Sequence, residues 1–268
     1  MCVHGYSGNA RDFDYLAEKL AAGRRVVCVD VAGRGTSDWL PAPLYGFPQF
    51  LSDLNALLAH LRVREVDWVG TSMGGLLGML LAAQRNSPVR RLVMNDVGAF
   101  LPTPALQTIG RNLLGPTSFP TLAAIDAHLK RTHKEWGRIP PEQWRALVRH
   151  GSRKTGNEYR LHYDPAIARL VQPMPLSPGI FFWDAWQKVT CPTLLLRGET
   201  SHVFPRTVAD TMLLRHDNAR LEEIPGCGHA PSLMLPGHVD LVAEFLDAPA
   251  ASATKRAAIT RRKRVENG

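Results

Sequence analysis

The chain has 268 residues, 45% of them hydrophobic, enough to bury one large core with room for an inserted subdomain. Its formal charge of +8 is unevenly placed, because residues 251–268 hold six basic side chains and one acid and leave only +3 for the body; the basicity belongs to a tail, and a nucleic-acid partner is not expected. No run reaches the roughly 18 apolar residues of a membrane span. No charged, apolar and small-residue series marks a signal peptide, the ten histidines include no H-E-x-x-H spacing, and Cys2, Cys28, Cys191 and Cys227 form no C-x-x-C pair. A cytoplasmic protein with buried thiols, no membrane partner, no metal and no other cofactor is expected.

Met1-Cys2-Val3 is the end of a strand before the turn His4-Gly5-Tyr6-Ser7-Gly8-Asn9. Arg11 to Ala22 places Phe13, Leu16, Ala17 and Leu20 on one face and stops at Gly23, which predicts a helix. Arg25 to Val31 is an apolar, β-branched run, as in a strand buried on both faces of a parallel sheet. It ends in the glycine-rich loop Asp30 to Asp38. That loop is no phosphate cradle, since its G-x-G lacks a third glycine and no helix opens after it; it reads as a turn bringing backbone close to the site face. Pro48 to Leu61 repeats Phe50, Leu51, Leu54, Leu57, Leu58 and Leu61 at helical spacing.

Val66 to Val69 then runs through Gly70-Thr71-Ser72-Met73-Gly74-Gly75 straight into an apolar helix. A serine hydroxyl is a poor nucleophile until a sharp turn lifts it clear of the backbone and a base takes its proton. Gly70 and Gly74 permit such a turn at Ser72, and the amide of Met73 sits at a helix N-terminus, where an oxyanion is favoured. The bland alternative is a glycine-rich turn with an idle serine. Arg91 to Gly98 is the next strand, with Asp96 at its carboxyl end. Alternating strands and helices predict a mostly parallel α/β sheet flanked by helices, with ligands beyond the strand carboxyl ends, where His4, Ser72 and Asp96 fall.

From 100 to 188 the alternation stops. Helical segments (Thr121 to Lys130, Pro141 to His150, Asp164 to Leu170) and a linker with Pro173, Pro175 and Pro178 predict an inserted helical lid. Its aromatics, Trp136, Trp144, Phe181, Phe182, Trp183 and Trp186, either line an apolar pocket or fill the insert's own core. The sheet pattern resumes with a strand at Pro192 to Gly198, a helix at Pro205 to Arg215 and a strand at Arg220 to Ile224. The loop Pro225 to Pro231 then presents His229, a base candidate, and a helix follows from Pro236 to Leu246. The predicted units are a core of 1–99 and 189–247, a lid of 100–188, and a basic disordered tail of 248–268.

With these residues in view, the chain from His4 to Leu246 resembles the α/β-hydrolase superfamily, and within it the lidded esterase-like members. His4-Gly5-Tyr6 resembles the oxyanion-loop motif, Gly70 to Gly75 the nucleophile elbow, Asp30 to Ser37 the D-x-x-G-x-G-x-S loop, and Gly228-His229 the loop of the base. The resemblance implies a serine hydrolase of a small apolar ester, thioester or lactone. Ser72 is its nucleophile and His229 its base, the amides of Tyr6 and Met73 hold the oxyanion, and His4 and Gly5 stand by the substrate; Trp183, among the insert's aromatics, is a further candidate for lining the substrate pocket. A carbon–carbon bond hydrolase shares this apparatus, whereas dehalogenases and epoxide hydrolases of the fold carry an aspartate at the elbow. The usual acid would follow the strand after the lid, but His202 stands where an aspartate is expected, and a histidine cannot be the anionic orienter of another. Asp96, in the alternative position seen in some lipases of the fold, is the expected acid; a turn-capping role for it and Glu199 as acid stay open.

The strand ending at His4 is expected inside the sheet, between the Val26 to Val31 strand and the nucleophile strand, yet it is about two residues long where strands usually run about 5 or 6. A truncated or mis-started version of a longer protein is therefore expected. The rival from another class is a non-catalytic ligand-binding member or an inactive fragment, favoured by His202 and the clipped start.

Overall fold

The computed structural model describes residues 1–171 and 177–249. Pro173, Pro175 and residues 250–268 of the tail expected at 248–268 lie outside the described residues.

The first third of the chain alternates strand and helix, as its hydrophobic periodicity requires. Strand β1 (Cys2–Val3) leads to helix α1 (Asp14–Ala21), which buries Leu16 and Leu20 one turn apart. Strand β2 (Cys28–Val29) is followed by α2 (Phe47–Leu61), whose Phe50, Leu54 and Leu58 recur every four residues on the buried face. Strand β3 (Val66–Thr71) turns into α3 (Met73–Ala82), and β4 (Val89–Asn95) comes next. Helix α3 is apolar all round and buried along nearly its whole length, as suits a helix enclosed on every side. Beneath it Trp68, fully buried, spends its one polar atom on the carbonyl of Gly74 at 2.9 Å.

The insert departs from the sequence expectation. It holds β5 (Phe100–Pro102), α4 (Thr103–Leu113), β6 (Ser118–Phe119), α5 (Leu122–Thr132), α6 (Pro141–His150), β7 (Ser152–Thr155), β8 (Glu158–Leu161), β9 (Gly179–Phe181) and α7 (Trp183–Trp186). The chain enters along β5 and leaves along β9, and these two pair antiparallel, Phe100 opposite Phe181. A second small sheet has the order β6-β8-β7. Polar strands of four residues, Ser152–Thr155 and Glu158–Leu161, carry no clear alternation to announce them. Their one signal is Gly156 between them, in the left-handed region at φ 60°. The helix expected at Asp164 to Leu170 is a 3₁₀ segment, Pro165–Val171.

After the insert come β10 (Thr193–Gly198), α8 (Arg206–Leu214), β11 (Ala219–Ile224) and α9 (Pro236–Asp247). The six core strands form one sheet of order β11-β10-β4-β3-β1-β2, every neighbouring pair parallel. β1 lies between β2 and β3, as expected. β2 is shorter than the Arg25 to Val31 run predicts because its neighbour offers two residues: Cys28 and Val29 stand opposite Cys2 and Val3. No helix among the described residues is long and apolar enough to cross a membrane. Beyond the carboxyl ends of β1, β3 and β4 lie His4, Ser72 and Asp96.

Candidate active site

Ser72 sits between β3 and α3 with φ 51° and ψ −114°, a conformation sparsely populated for any residue with a side chain. It is held there from both sides: its amide donates to the carbonyl of Asn95 at 2.8 Å, and its own carbonyl accepts from Gly75 at 2.9 Å and Leu76 at 3.1 Å. The flanking glycines are sterically required. A Cβ at Gly70 would lie 2.2 Å from the Gly74 carbonyl carbon, and one at Gly74 would lie 2.0 Å from the Val3 carbonyl oxygen. The loop after β1 runs alongside, since a Cβ at Gly5 would stand 3.6 Å from Cβ of Ser72. Ser72, Gly5, Tyr6 and His229 line one cavity of about 420 Å³, within the range of small-ligand sites.

Asp96 is fully buried and, like Ser72, left-handed, with φ 55°. Its Oδ2 lies 2.8 Å from His229 Nδ1 and accepts from Ser201 Oγ at 2.6 Å, while its Oδ1 accepts from the amide of Gly198 at 2.7 Å. The contact engages Nδ1 of the imidazole and leaves Nε2 clear of the carboxylate. Glu199, the other acid left open by the sequence, points elsewhere: its Oε2 accepts from the amide of Gly226 at 2.9 Å. His202 lies at the cavity and approaches Glu135 of the insert, Nδ1 to Oε2 3.3 Å.

The sequence profile of the alpha/beta hydrolase family matches residues 1–245. The chain belongs to the alpha/beta hydrolase family. It is a hydrolase, similar to a 3-hydroxybutyrate-oligomer hydrolase of Cupriavidus necator with 40% identity over 254 residues, covering 91% of this chain and 87% of that protein. A 2-(acetamidomethylene)succinate hydrolase of Mesorhizobium japonicum is 27% identical, covering 91% and 86% of the two chains. The crystal structure of an alpha/beta hydrolase from Novosphingobium aromaticivorans superposes with a TM-score of 0.83 at 32% identity, covering 92% of this chain and 88% of that one.

Two residues expected beside the substrate, His4 and Trp183, lie outside the cavity that Ser72 lines. His4 is fully buried and outside the cavity; its Nε2 accepts from the amide of Val31 at 3.0 Å and its Nδ1 lies 2.6 Å from the carbonyl of Gly5, so it ties the loop after β1 to the chain just past β2. Trp183 is outside the cavity as well, with the Arg215 guanidinium 4.7 Å from its ring centre. Among the insert's aromatics, Trp136 and Trp144 line the cavity, while Trp186 is fully buried against α8, donating to the Met212 carbonyl at 3.0 Å. The cavity wall is also less apolar than expected, for Arg111, Arg131 and Lys134 stand on it beside Ile109, Leu113 and Leu129.

Arg34 and Ser201 were missed as site residues. Arg34, in the loop after β2, is fully buried, with its guanidinium 5.3 Å from the ring centre of Tyr6 and 5.0 Å from that of Phe50. It donates to the carbonyls of Tyr6 at 2.9 Å and Ala32 at 2.8 Å, and reaches Met73 Sδ at 3.6 Å. Burial lowers its pKa to about 10, so it stays charged at neutral pH, touching both residues whose amides are expected to hold an oxyanion. Among the described residues those two amides, of Tyr6 and Met73, find no protein acceptor. Only the position of Arg34 between two loop glycines, and of Ser201 in the turn searched for an acid, marked them in the sequence.

Proposed function

We propose that this chain is a serine hydrolase of short hydroxyacyl esters, working through Ser72, His229 and Asp96 by way of an acyl-enzyme, with residues 100–188 as a lid over the site. The observation that carries the reading is the buried Asp96–His229 pair at 2.8 Å beside a cavity shared with Ser72 in its left-handed turn. His229 takes the proton of Ser72 Oγ as that oxygen attacks the ester carbonyl. The carbonyl π pair moves onto oxygen, which is met by the amides of Tyr6 and Met73, with the charge of Arg34 behind both. The intermediate collapses, the C–O bond to the alcohol breaks, and His229 returns the proton to the departing oxygen. Water then attacks the acyl-serine with the same proton transfers, releasing the acid and restoring Ser72.

The substrate class rests on the Cupriavidus relative, whose substrate is an oligomer of 3-hydroxybutyrate, joined to a cavity of a size for a short chain. The test is labelling with a fluorophosphonate together with turnover of 4-nitrophenyl acetate and of the linear 3-hydroxybutyrate dimer. Labelling at Ser72, lost in Ser72→Ala along with turnover of both esters, is expected. A folded parent chain that neither labels nor turns over either ester would leave a ligand-binding protein in place of an enzyme.

A further inference from the structure

Three cations converge on the cavity that holds Ser72, and no carboxylate answers them. Arg111 closes α4 and spends a bond on the Thr108 hydroxyl at 3.1 Å. Arg131 closes α5, donating to the Ala127 carbonyl at 3.1 Å and reaching His128 Nδ1 at 3.4 Å. Lys134 follows in the next turn, and all three line the cavity. None forms an ion pair among the described residues, although most of the ten or so donors of two guanidiniums remain to be used. The carboxyl groups on the same wall are Asp12 and Glu135. Glu135 is turned to His202 at 3.3 Å; Asp12 accepts from the amide of Asn9 at 3.3 Å, and desolvation pushes its carboxyl up to about 7, so that it carries only part of a charge at neutral pH.

We infer that Arg111 and Arg131, with Lys134 beside them, form a carboxylate-binding subsite in the lid, so that the preferred ester carries a free carboxylate on the alcohol side of the bond cleaved. The inference rests on the hydrolase reading above and narrows it. A planar guanidinium fork matches a carboxylate with two parallel bonds, and such a bond is shorter and stronger than a neutral one. The favourable position of a cation in the last turn of a helix explains each arginine singly. It does not explain their convergence: α6 also ends in basic residues, Arg149 and His150, and neither lines the cavity. An anionic end also sets the direction in which an oligomer threads the site. With its carboxylate held at the insert, the ester bond nearest that end is presented to Ser72, and the residue released carries that carboxylate.

The test compares kcat/KM for the linear 3-hydroxybutyrate dimer with that for the methyl ester of the same dimer, in the parent chain and in Arg111→Gln, Arg131→Gln and the double variant. The two substrates differ by one charge. The parent is expected to favour the free acid, by a margin that shrinks as salt is added. The double variant is expected to lower the acid-to-ester ratio by roughly 10- to 100-fold, through KM more than kcat, the effect of losing charge-assisted hydrogen bonds. Arg131→Lys, which keeps the charge and loses the fork, is expected to fall between parent and Arg131→Gln. Both arginines are exposed on helix surfaces, and using the ratio cancels any general loss of active protein. Turnover of 4-nitrophenyl acetate that depends on Ser72, combined with a ratio that falls less than tenfold in the double variant, overturns the subsite and leaves the hydrolase reading standing. Absence of Ser72-dependent turnover on every ester removes both.

Discussion

Asp96 accepts from an amide, a hydroxyl and an imidazole at once, each within 2.8 Å, while shielded from water. The amide and hydroxyl bonds come from Gly198 and Ser201 in the turn after β10, not from the turn that leads out of β4 into the insert; the imidazole bond is the one an orienting acid would make. If Asp96 holds the tautomer of His229, Asp96→Asn presents an amide to Nδ1 and favours the wrong tautomer, and kcat should fall by up to about 10⁴-fold. Glu199→Gln and His202→Ala should keep kcat within about tenfold of the parent, because the Glu199 carboxylate serves the amide of Gly226 and His202 serves Glu135. Steady-state kinetics on 4-nitrophenyl acetate checks all three, and Asp96→Asn at the parent rate would move the acid elsewhere. The pairing of Asp96 with His229 was legible because charge type is written in the residue: an imidazole cannot be the anion another imidazole needs. The support from Ser201, 105 positions away, was not, since a hydroxyl in a turn has many partners open to it and only the folded geometry selects one. Arg34 was hidden for a related reason. A buried cation that rests on carbonyls and aromatic rings, with no acid spaced along the chain, leaves no pattern of its own.

At the level of the β3–α3 turn, chain geometry leaves no freedom at two positions. A methyl at Gly74 would meet the Val3 carbonyl oxygen at 2.0 Å, and backbone on both sides is fixed by pairing of β1 with β3. Relief requires β1 or α3 to shift, so Gly74→Ala should destabilise by more than about 3 kcal/mol, at the upper end of overpacking costs. Gly23→Ala is the matched control, with nothing within 4 Å of the added carbon and an expected change of less than about 1 kcal/mol. Urea unfolding of the two variants measures the contrast; a Gly74→Ala midpoint equal to that of the control would show that the turn tolerates a side chain. The elbow, α2 and the buried strands were readable because each repeats one local rule over many residues. The insert's small sheets were not: strands of two to four residues carry too little pattern to announce themselves, and although Glu158–Leu161 pairs with the adjacent Ser152–Thr155, Ser118–Phe119 is held by a partner distant in sequence.

Across the whole molecule, the sheet order β11-β10-β4-β3-β1-β2 gathers at one rim groups that are far apart in the chain: the loop after β1, Ser72 after β3, Asp96 after β4 and His229 after β11. Putting a histidine at the end of an interior strand makes the stability of the whole depend on pH. His4 Nε2 accepts from the Val31 amide, so it must be unprotonated, and burial, reinforced by the charge of Arg34, lowers its pKa to about 4. In the unfolded chain the same imidazole titrates near 6.5. Between these values the unfolded state binds a proton that the folded state refuses, so stability rises with pH through the window and is lost as pH falls from about 6.5 towards 4. The displacement corresponds to about 3 kcal/mol from this one residue. His4→Gln keeps an acceptor for Val31 but cannot titrate. It should therefore lose about 3 kcal/mol less than the parent between pH 7 and pH 4, whatever its stability at pH 7. Urea midpoints for the two proteins at a series of pH values give the difference directly, and because every other titrating group is common to both, parallel curves would mean that His4 is protonated in the folded chain at no cost and that its bond to Val31 is not what holds the loop.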